Sequence, residues 1–352
     1  MELNKIYNEN CISGLKKMPD NSVDCFVTSP PYFGLRDYGT SEQIGLEETP
    51  ELFVAAMVEV FTEVKRVLKD EGTLWLNLGD SYCGSTSETI SKRENSPIAK
   101  GTVESQENRS GRGNRVRAML SNNIKPKDLI GIPWMVAFAL RSSGWYLRQD
   151  IIWHKPNPMP ESVTDRCTKS HEYVFLLSKS AKYYYDADAI KTPIAKESIA
   201  RLAQDLENQK GSNRVPDKSN GNMKAVAKGL TFGGKKGREY NPNPNDPNFR
   251  NGSEQWGREY VPSLTANKKS VWTVTTKPFS EAHFATFPQD LIVDCIKAGC
   301  PEGGIVCDPF MGAGTTALVA RKLNRNFIGY ELNPDYLKIA ENRLYKELGM
   351  FP

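Results

Sequence analysis

Three histidines in 352 residues, and no Cys-x-x-Cys pair, leave little from which to build a metal centre. His171 and His283 have no ligand-like spacing, so none is expected. Seven cysteines (Cys11, Cys25, Cys83, Cys167, Cys295, Cys300 and Cys307) are scattered through apolar stretches, an odd number that argues for reduced, buried thiols over a disulfide framework. No apolar run approaches the roughly 18 residues of a membrane span, and the polar, acidic start does not read as a signal peptide. A soluble cytoplasmic protein with no membrane partner is the expectation. Charge of one sign is also scarce. The 46 basic and 42 acidic side chains leave a net +4, compatible with a polyanionic partner without demanding one. No internal repeat is visible.

What is present is ordinary globular composition, 39% hydrophobic and 25% charged, enough for one large α/β domain with insertions or for two domains. "SVDCFVTS" (22–29) reads as a short buried strand. Phe53, Met57, Val60, Val64 and Val67 recur at helical spacing, which predicts a helix over 50–69 with Pro50 in its first turn and Gly72 just past its end. "GTLWLNLGD" (72–80) is a second strand, and strand–helix–strand is the unit of a parallel sheet. Further helices are expected near 133–143, 288–298 and 314–324, and further strands in "WYLRQDIIWHK", "HEYVFLLSK", "KSVWTVTT", "GGIVCD" and "NFIGYE".

Two stretches break the pattern. Residues 84–127 are rich in Ser, Asn, Gly and Arg and read as a mobile loop with a basic face. Residues 191–265 are rich in Asn, Lys, Gly and Pro with few aliphatic side chains, and by composition alone read as a disordered insertion.

The most informative segment is "GGIVCDPFMGAGTTALVARKLNRNFIGYELNPDY" (303–336). A strand ends at Asp308, a turn with Gly312 and Gly314 opens a helix at Thr315 and Thr316, and a second strand ends at Glu331. Such glycines allow close backbone approach, the helix start offers unpaired N–H groups, and an acid closing the next strand suits the two hydroxyls of a ribose. This is not Gly-x-Gly-x-x-Gly. The acid at the end of the first strand can meet a cationic amino group, which favours S-adenosylmethionine over a dinucleotide. A plain βα turn is the bland alternative.

"TSPPY" (28–32) raises a separate question, because prolines cannot continue a sheet ladder. Taken alone it fits a cis-proline or a plain turn. Together with "DPFMGAGTT" (308–316) it resembles the amino-methyltransferases of DNA, whose motifs are Ser/Asn/Asp-Pro-Pro-Tyr/Phe and Asp-Pro-Phe-x-Gly-x-Gly-Thr-Thr. The catalytic motif precedes the cofactor motif, as in the β group of that family. "NENCISGLKKMPDNSVD", "HFATFPQDLIVDCI" and "GYELNPDY" resemble its flanking segments, so the likeness covers about 1–82, 128–190 and 270–345.

The resemblance implies an α/β fold with a doubly wound, mostly parallel Rossmann-like methyltransferase sheet and an inserted target-recognition region. The catalytic half would span 1–190, the recognition insert 191–265 and the cofactor half 266–352. It implies S-adenosylmethionine as cofactor, held by Asp308, Pro309, Phe310, Gly312, Gly314, Thr315, Thr316 and Glu331, with Asp308 near the amino-acid end and Glu331 on the ribose. Asn10 stands where the family places an aspartate towards the adenine. Ser29, Pro30, Pro31 and Tyr32 would be catalytic. The Ser29 hydroxyl and Pro30 carbonyl would accept from the two N–H bonds of an exocyclic amine and free its lone pair, while Tyr32 would stack on a base extruded from the duplex. No Pro-Cys dipeptide occurs, so a cysteine adduct is not expected.

Double-stranded DNA is the implied partner, with a cognate restriction endonuclease and a homodimer left open. Ser29 leans the target to cytosine N4, and adenine N6 is the alternative. Methylation of a protein or RNA, or a silent DNA-binding module, are more remote. Trp153 and His154 could face the base pocket or pack in the core, and Phe33 and Arg36 could touch DNA or pack their loop. In the insert, Lys235, Lys236, Arg238 and Arg250, with Tyr240, Phe249 and Trp256 interleaved, read as phosphate and stacking contacts.

Overall fold

The computed structural model describes residues 2–35, 40, 42–83, 124–194, 265–276 and 287–349. It divides into one compact unit of residues 1–190 and 269–352 and a second of 191–268.

The first unit is built on an eight-stranded sheet, in the order β1 (Lys5–Tyr7), β10 (Asn326–Tyr330), β9 (Ile305–Asp308), β2 (Val23–Thr28), β3 (Leu68–Leu78), β5 (His171–Ser178), β4 (Tyr146–His154) and β8 (Val271–Thr273). Only β5 runs against its neighbours, β3 and β4. The other pairings are parallel.

Alternation along the strands explains why both faces are covered. Phe26, Leu74, Leu76, Phe175 and Leu177 point into one core. There they meet α1 (Cys11–Lys16), α2 (Pro50–Val67) and α3 (Ile132–Ser142). Cys25, Val27, Trp75, Val174 and Leu176 point the other way, towards α4 (Gln289–Gly299), α5 (Thr315–Lys322) and α6 (Pro334–Leu348). Each fully buried Phe, Leu or Met stabilises by about 1.5–3 kcal/mol, so the two cores fix the sheet from both sides. The doubly wound α/β expectation holds.

Helix α2 starts as its sequence suggests. The Thr49 hydroxyl accepts from the N–H of Leu52 and Pro50 occupies the first turn. Its end differs from expectation. The helix stops at Val67 and the chain enters β3 directly at Leu68, which pairs with Val23 before a bulge shifts the register to Cys25–Thr73. Gly72 therefore caps no helix. It lies within β3, where a Cβ would come within 2.4 Å of Leu68 Cδ1.

The crossovers leave β2 towards β3 and β9 towards β10, so the strand order diverges between β2 and β9. In doubly wound sheets ligands bind at such a divergence, outside the carboxyl ends of the strands. Ser29 follows β2 and Pro309 follows β9 at this edge.

In the second unit, β6 (Thr192–Pro193) pairs antiparallel with β7 (Thr265–Ala266). The basic loop's 84–123 and the insert's 195–264 lie outside the described residues, and with them Lys235, Lys236, Arg238, Tyr240, Phe249, Arg250 and Trp256. The ends of the 84–127 stretch are tied together. Cys83 N–H donates to Asp128 O at 2.9 Å and Lys127 N–H to Cys83 O at 3.0 Å. Among the described residues no helix is long and apolar enough to cross a membrane.

Candidate active site

At the carboxyl edge of β9 the chain turns sharply through Gly312 (φ 53°) and Gly314 (φ 75°), left-handed conformations that glycine adopts without strain. Gly314 also has to be small, because a Cβ there would lie 2.9 Å from Cβ of Ala340 on α6. Thr315 then begins α5. Its hydroxyl accepts from Arg343 of α6 at 2.9 Å, and the same guanidinium nitrogen donates to Ala313 O at 3.1 Å.

Asp308 is fully enclosed. Oδ1 accepts from the Thr28 hydroxyl at 2.6 Å and from the N–H of Phe310 at 3.0 Å, and Oδ2 from the Thr316 hydroxyl at 2.6 Å. Burial pushes its carboxyl up to about 6, against the pull of those three donors.

Glu331 follows β10. Oε2 accepts from the N–H of Gly312 at 2.8 Å and Oε1 from that of Asn333 at 2.8 Å. These bonds aim the carboxylate into the turn, and burial raises its pKa against them.

These elements surround a cleft of about 1080 Å³, counting the part open to solvent, at the divergence of β2 and β9. Ser29 and Pro31 line it together with Pro309, Phe310, Gly312, Thr315, Glu331 and Asn10. The two sequence motifs, far apart in the chain, thus meet at one cavity. Pro30 is buried, and neither it nor Tyr32, Asp308, Gly314 or Thr316 lines the cleft. Asp308 and Thr316 instead join β9, β2 and α5 beneath it, and Gly314 lets α6 approach.

Asn10 lines the cleft but caps α1. Its Oδ1 accepts from the N–H groups of Ile12 at 2.9 Å and Ser13 at 3.4 Å, and its Nδ2 donates to Glu42 at 3.3 Å. Both lone pairs of that oxygen are engaged and one amide N–H is given to Glu42, which leaves the second N–H as its remaining polar group.

Sequence reasoning missed Glu9, Glu42 and Thr40 in the lining, and the apolar Ile44, Phe287 and Leu332 beside them. Glu42 and Thr40 stand on the connection between the catalytic motif and α2, whose composition carries no strand or helix signal. The Thr40 hydroxyl is buried with no hydrogen-bond partner among the described residues. Three carboxylates, of which Glu9 is paired with the Lys17 ammonium, together with the Thr40 hydroxyl and apolar walls fit a cationic nucleoside with a flat base, as S-adenosylmethionine is.

Other candidates resolve as packing. Trp153 is 3% exposed and its indole N–H donates to Val274 O at 2.8 Å. His154 Nδ1 lies 3.2 Å from the Thr273 hydroxyl, and His171 packs edge-on against Tyr173. Phe33 packs against Phe53 in the core at 5.7 Å. Arg36 and His283 lie outside the described residues. All seven cysteines are free and six are buried, Cys167 being the exposed one. Burial lifts Cys11 and Cys300 to about 12, far from thiolate chemistry.

The sequence profile of the N6/N4 methyltransferases, described as DNA methylase, matches residues 23–342. The chain belongs to that family. This methylase is 40% identical over 349 residues to the Type II methyltransferase M.Cfr9I of Citrobacter freundii, covering 99% of this chain and 90% of that protein. Its fold is similar to that of the PvuII DNA methyltransferase, a cytosine-N4-specific enzyme (TM-score 0.52, 16% identity, 97% of this chain and 86% of the other). It is similar also to a putative DNA modification methylase of Thermus thermophilus solved with S-adenosyl-L-methionine (TM-score 0.51, 19% identity, 99% of this chain and 95% of the other). At these identities the two structures speak for the fold.

Proposed function

We propose that this methylase transfers the methyl group of S-adenosylmethionine to the exocyclic N4 of cytosine in double-stranded DNA. The observation that supports the reading most is the shared cleft. Ser29 stands on the same cavity as Gly312 and Glu331, so an amine held at the catalytic motif lies beside a cofactor held at the glycine turn.

Each residue's part follows from its position. Glu331 accepts from ribose hydroxyls with the lone pairs that Gly312 and Asn333 leave over. Glu42 favours the cationic donor over a neutral one, whereas Glu9 is already paired with the Lys17 ammonium. The apolar walls hold the cofactor base and exclude water.

An exocyclic amine is a poor nucleophile, because its lone pair is delocalised into the ring. The Ser29 hydroxyl and the Pro30 carbonyl accept its two N–H bonds and draw the nitrogen towards tetrahedral geometry. The two prolines hold that carbonyl rigid. Bound in the cleft, S-adenosylmethionine would supply a methyl on a sulfonium, open to in-line displacement in which the C–S electron pair leaves with the neutral thioether and the methylated amine then sheds one N–H proton. Tyr32 offers the face on which the extruded base stacks. No cysteine adduct is needed, in keeping with buried thiols held in their protonated form.

Cytosine is favoured by Ser29, since aspartate at this motif position tilts such enzymes towards adenine. The test is mass spectrometry of nucleosides from unmethylated plasmid treated with the enzyme and methyl donor. N4-methylcytosine supports the reading, and N6-methyladenine as the sole product replaces it with the adenine alternative.

A further inference from the structure

Next to the cleft, a second group of polar side chains converges on one carboxylate. Glu172 lies near the start of β5, opposite Trp153 of β4. Its Oε2 accepts from the Tyr32 hydroxyl at 2.7 Å and from Asn77 Nδ2 at 3.3 Å. Its Oε1 pairs with the Lys155 ammonium, both side chains being less than one-fifth exposed. Asn77 completes the set. Its Oδ1 lies 3.3 Å from the Tyr32 hydroxyl and its Nδ2 donates to Tyr173 O at 3.0 Å. Lys155 is itself fixed over the Trp153 ring, 4.2 Å from its centroid. On the edge of the Tyr32 ring lies Gly79, where a Cβ would come 2.4 Å from Cε2.

Stability does not account for this arrangement. A largely buried ion pair roughly breaks even against apolar packing, because desolvation offsets the attraction. A phenylalanine would stack on a base without any partner for a hydroxyl. What the network achieves is geometric. The phenol is held at its far end by a charge-assisted bond and along its edge by a glycine-sized gap, so the ring has one orientation.

We propose that Glu172 is a positioning residue for methyl transfer, holding the Tyr32 ring in the orientation against which the extruded base stacks. Lys155 and Asn77 hold Glu172 in turn. This rests on the reading of Tyr32 as the stacking face, and the test separates the two.

Single-turnover methylation of unmethylated phage λ DNA is measured for Tyr32→Phe, Glu172→Gln, the double variant and Tyr32→Ala. S-adenosylmethionine affinity and thermal unfolding are recorded for each. Tyr32→Phe keeps the ring and removes only the clamp, so its transfer rate at saturating DNA should fall roughly tenfold to a hundredfold. Glu172→Gln cannot serve both Tyr32 and Lys155 with its one oxygen and should fall similarly. The double variant should be no slower than the slower single, because both break the same link. Cofactor affinity of Tyr32→Phe should stay at the wild-type value and its rate loss should persist well below its unfolding midpoint, which a merely structural role for the hydroxyl would not predict. Wild-type rates in Tyr32→Phe and Glu172→Gln beside a disabled Tyr32→Ala overturn the clamp and leave stacking intact. Multiplicative losses in the double variant also overturn it. Full activity in Tyr32→Ala overturns the stacking reading, and the clamp with it.

Discussion

The hydroxyl of Thr28 donates to the carboxylate of Asp308 across 2.6 Å, joining residues 280 apart in sequence at the ends of the paired strands β2 and β9. Thr28 immediately precedes Ser29, the proposed catalytic serine, and Asp308 immediately precedes the glycine turn proposed to hold the cofactor. One buried bond therefore ties the two sequence motifs together at the edge of the cleft.

Burial of the Asp308 carboxyl, against the pull of that bond, makes the enzyme's stability depend on pH. The carboxyl of Asp308 holds its proton to about 6 in the folded protein. In the unfolded chain it is released near pH ~3.9. Between those values the native state binds more protons, so stability falls as pH rises through this window, and the loss is complete above the folded value. Asparagine at 308 keeps the side-chain shape and carries no charge to bury. The advantage of Asp308→Asn over wild type in urea unfolding should grow by about 1 kcal/mol from pH 5 to pH 8. A pH-independent difference would place the ionisation elsewhere. Cofactor affinity close to wild type in this variant would separate bracing from direct contact.

Glu331 is expected to act on the cofactor. Removing one charge-assisted hydrogen-bonding partner costs about 1.5–3 kcal/mol, roughly tenfold to a hundredfold in affinity. Calorimetry of Glu331→Ala with S-adenosylmethionine should show this weakening while the circular dichroism spectrum is unchanged. Wild-type affinity would remove Glu331 from the site.

Gly79 should tolerate nothing larger. Alanine there meets the Tyr32 ring at 2.4 Å and pushes it out of place. Overpacking of this kind typically costs about 1–3 kcal/mol. The Gly79→Ala enzyme should bind S-adenosylmethionine normally and methylate DNA at least about tenfold more slowly. An unchanged rate would show that the ring's placement carries no catalytic weight.

Residues 205–255 should govern which DNA sites are methylated. Replacing them with a short Gly-Ser linker should leave cofactor affinity intact and abolish site-specific methylation, read by sequencing modified bases across a genome. Correctly targeted methylation by that variant would show the segment to be a passive connection.

How much of this was legible in the sequence depends on the range of the interactions involved. Phe26 against Cys25 and Val27, and Leu74 and Leu76 against Trp75, alternate plainly enough to name β2 and β3 and to place helices on both sides. The Gly312–Gly314 turn was readable because its left-handed backbone demands glycine locally, and the acids at 308 and 331 because they close strands on either side of it. β1, with three residues, is too short to show a period, and α1 shows mainly through its cap at Asn10. The strand entry at Leu68 hides behind exposed Lys69, Asp70 and Glu71, because the bulge there needs no apolar side chain. Asp308 reads as a ligand from its motif, and only tertiary placement shows its three donors. The bond between Glu172 and Tyr32 spans 140 residues and depends on the antiparallel placement of β5, which no local pattern encodes.

The pairing of Thr192–Pro193 with Thr265–Ala266 has an evolutionary consequence. A segment whose two ends are clasped can be lengthened, shortened or exchanged with little thermodynamic effect, each doubling of a flexible loop costing only about 0.6 kcal/mol. The cavity chemistry belongs to residues of the other unit, so it need not change when the clasped segment does. With target recognition assigned to the clasped segment as proposed, lineages descended from one such enzyme could diverge in the DNA they mark while keeping the same transfer machinery, and chimaeras joined at this clasp should exchange target sites in the laboratory.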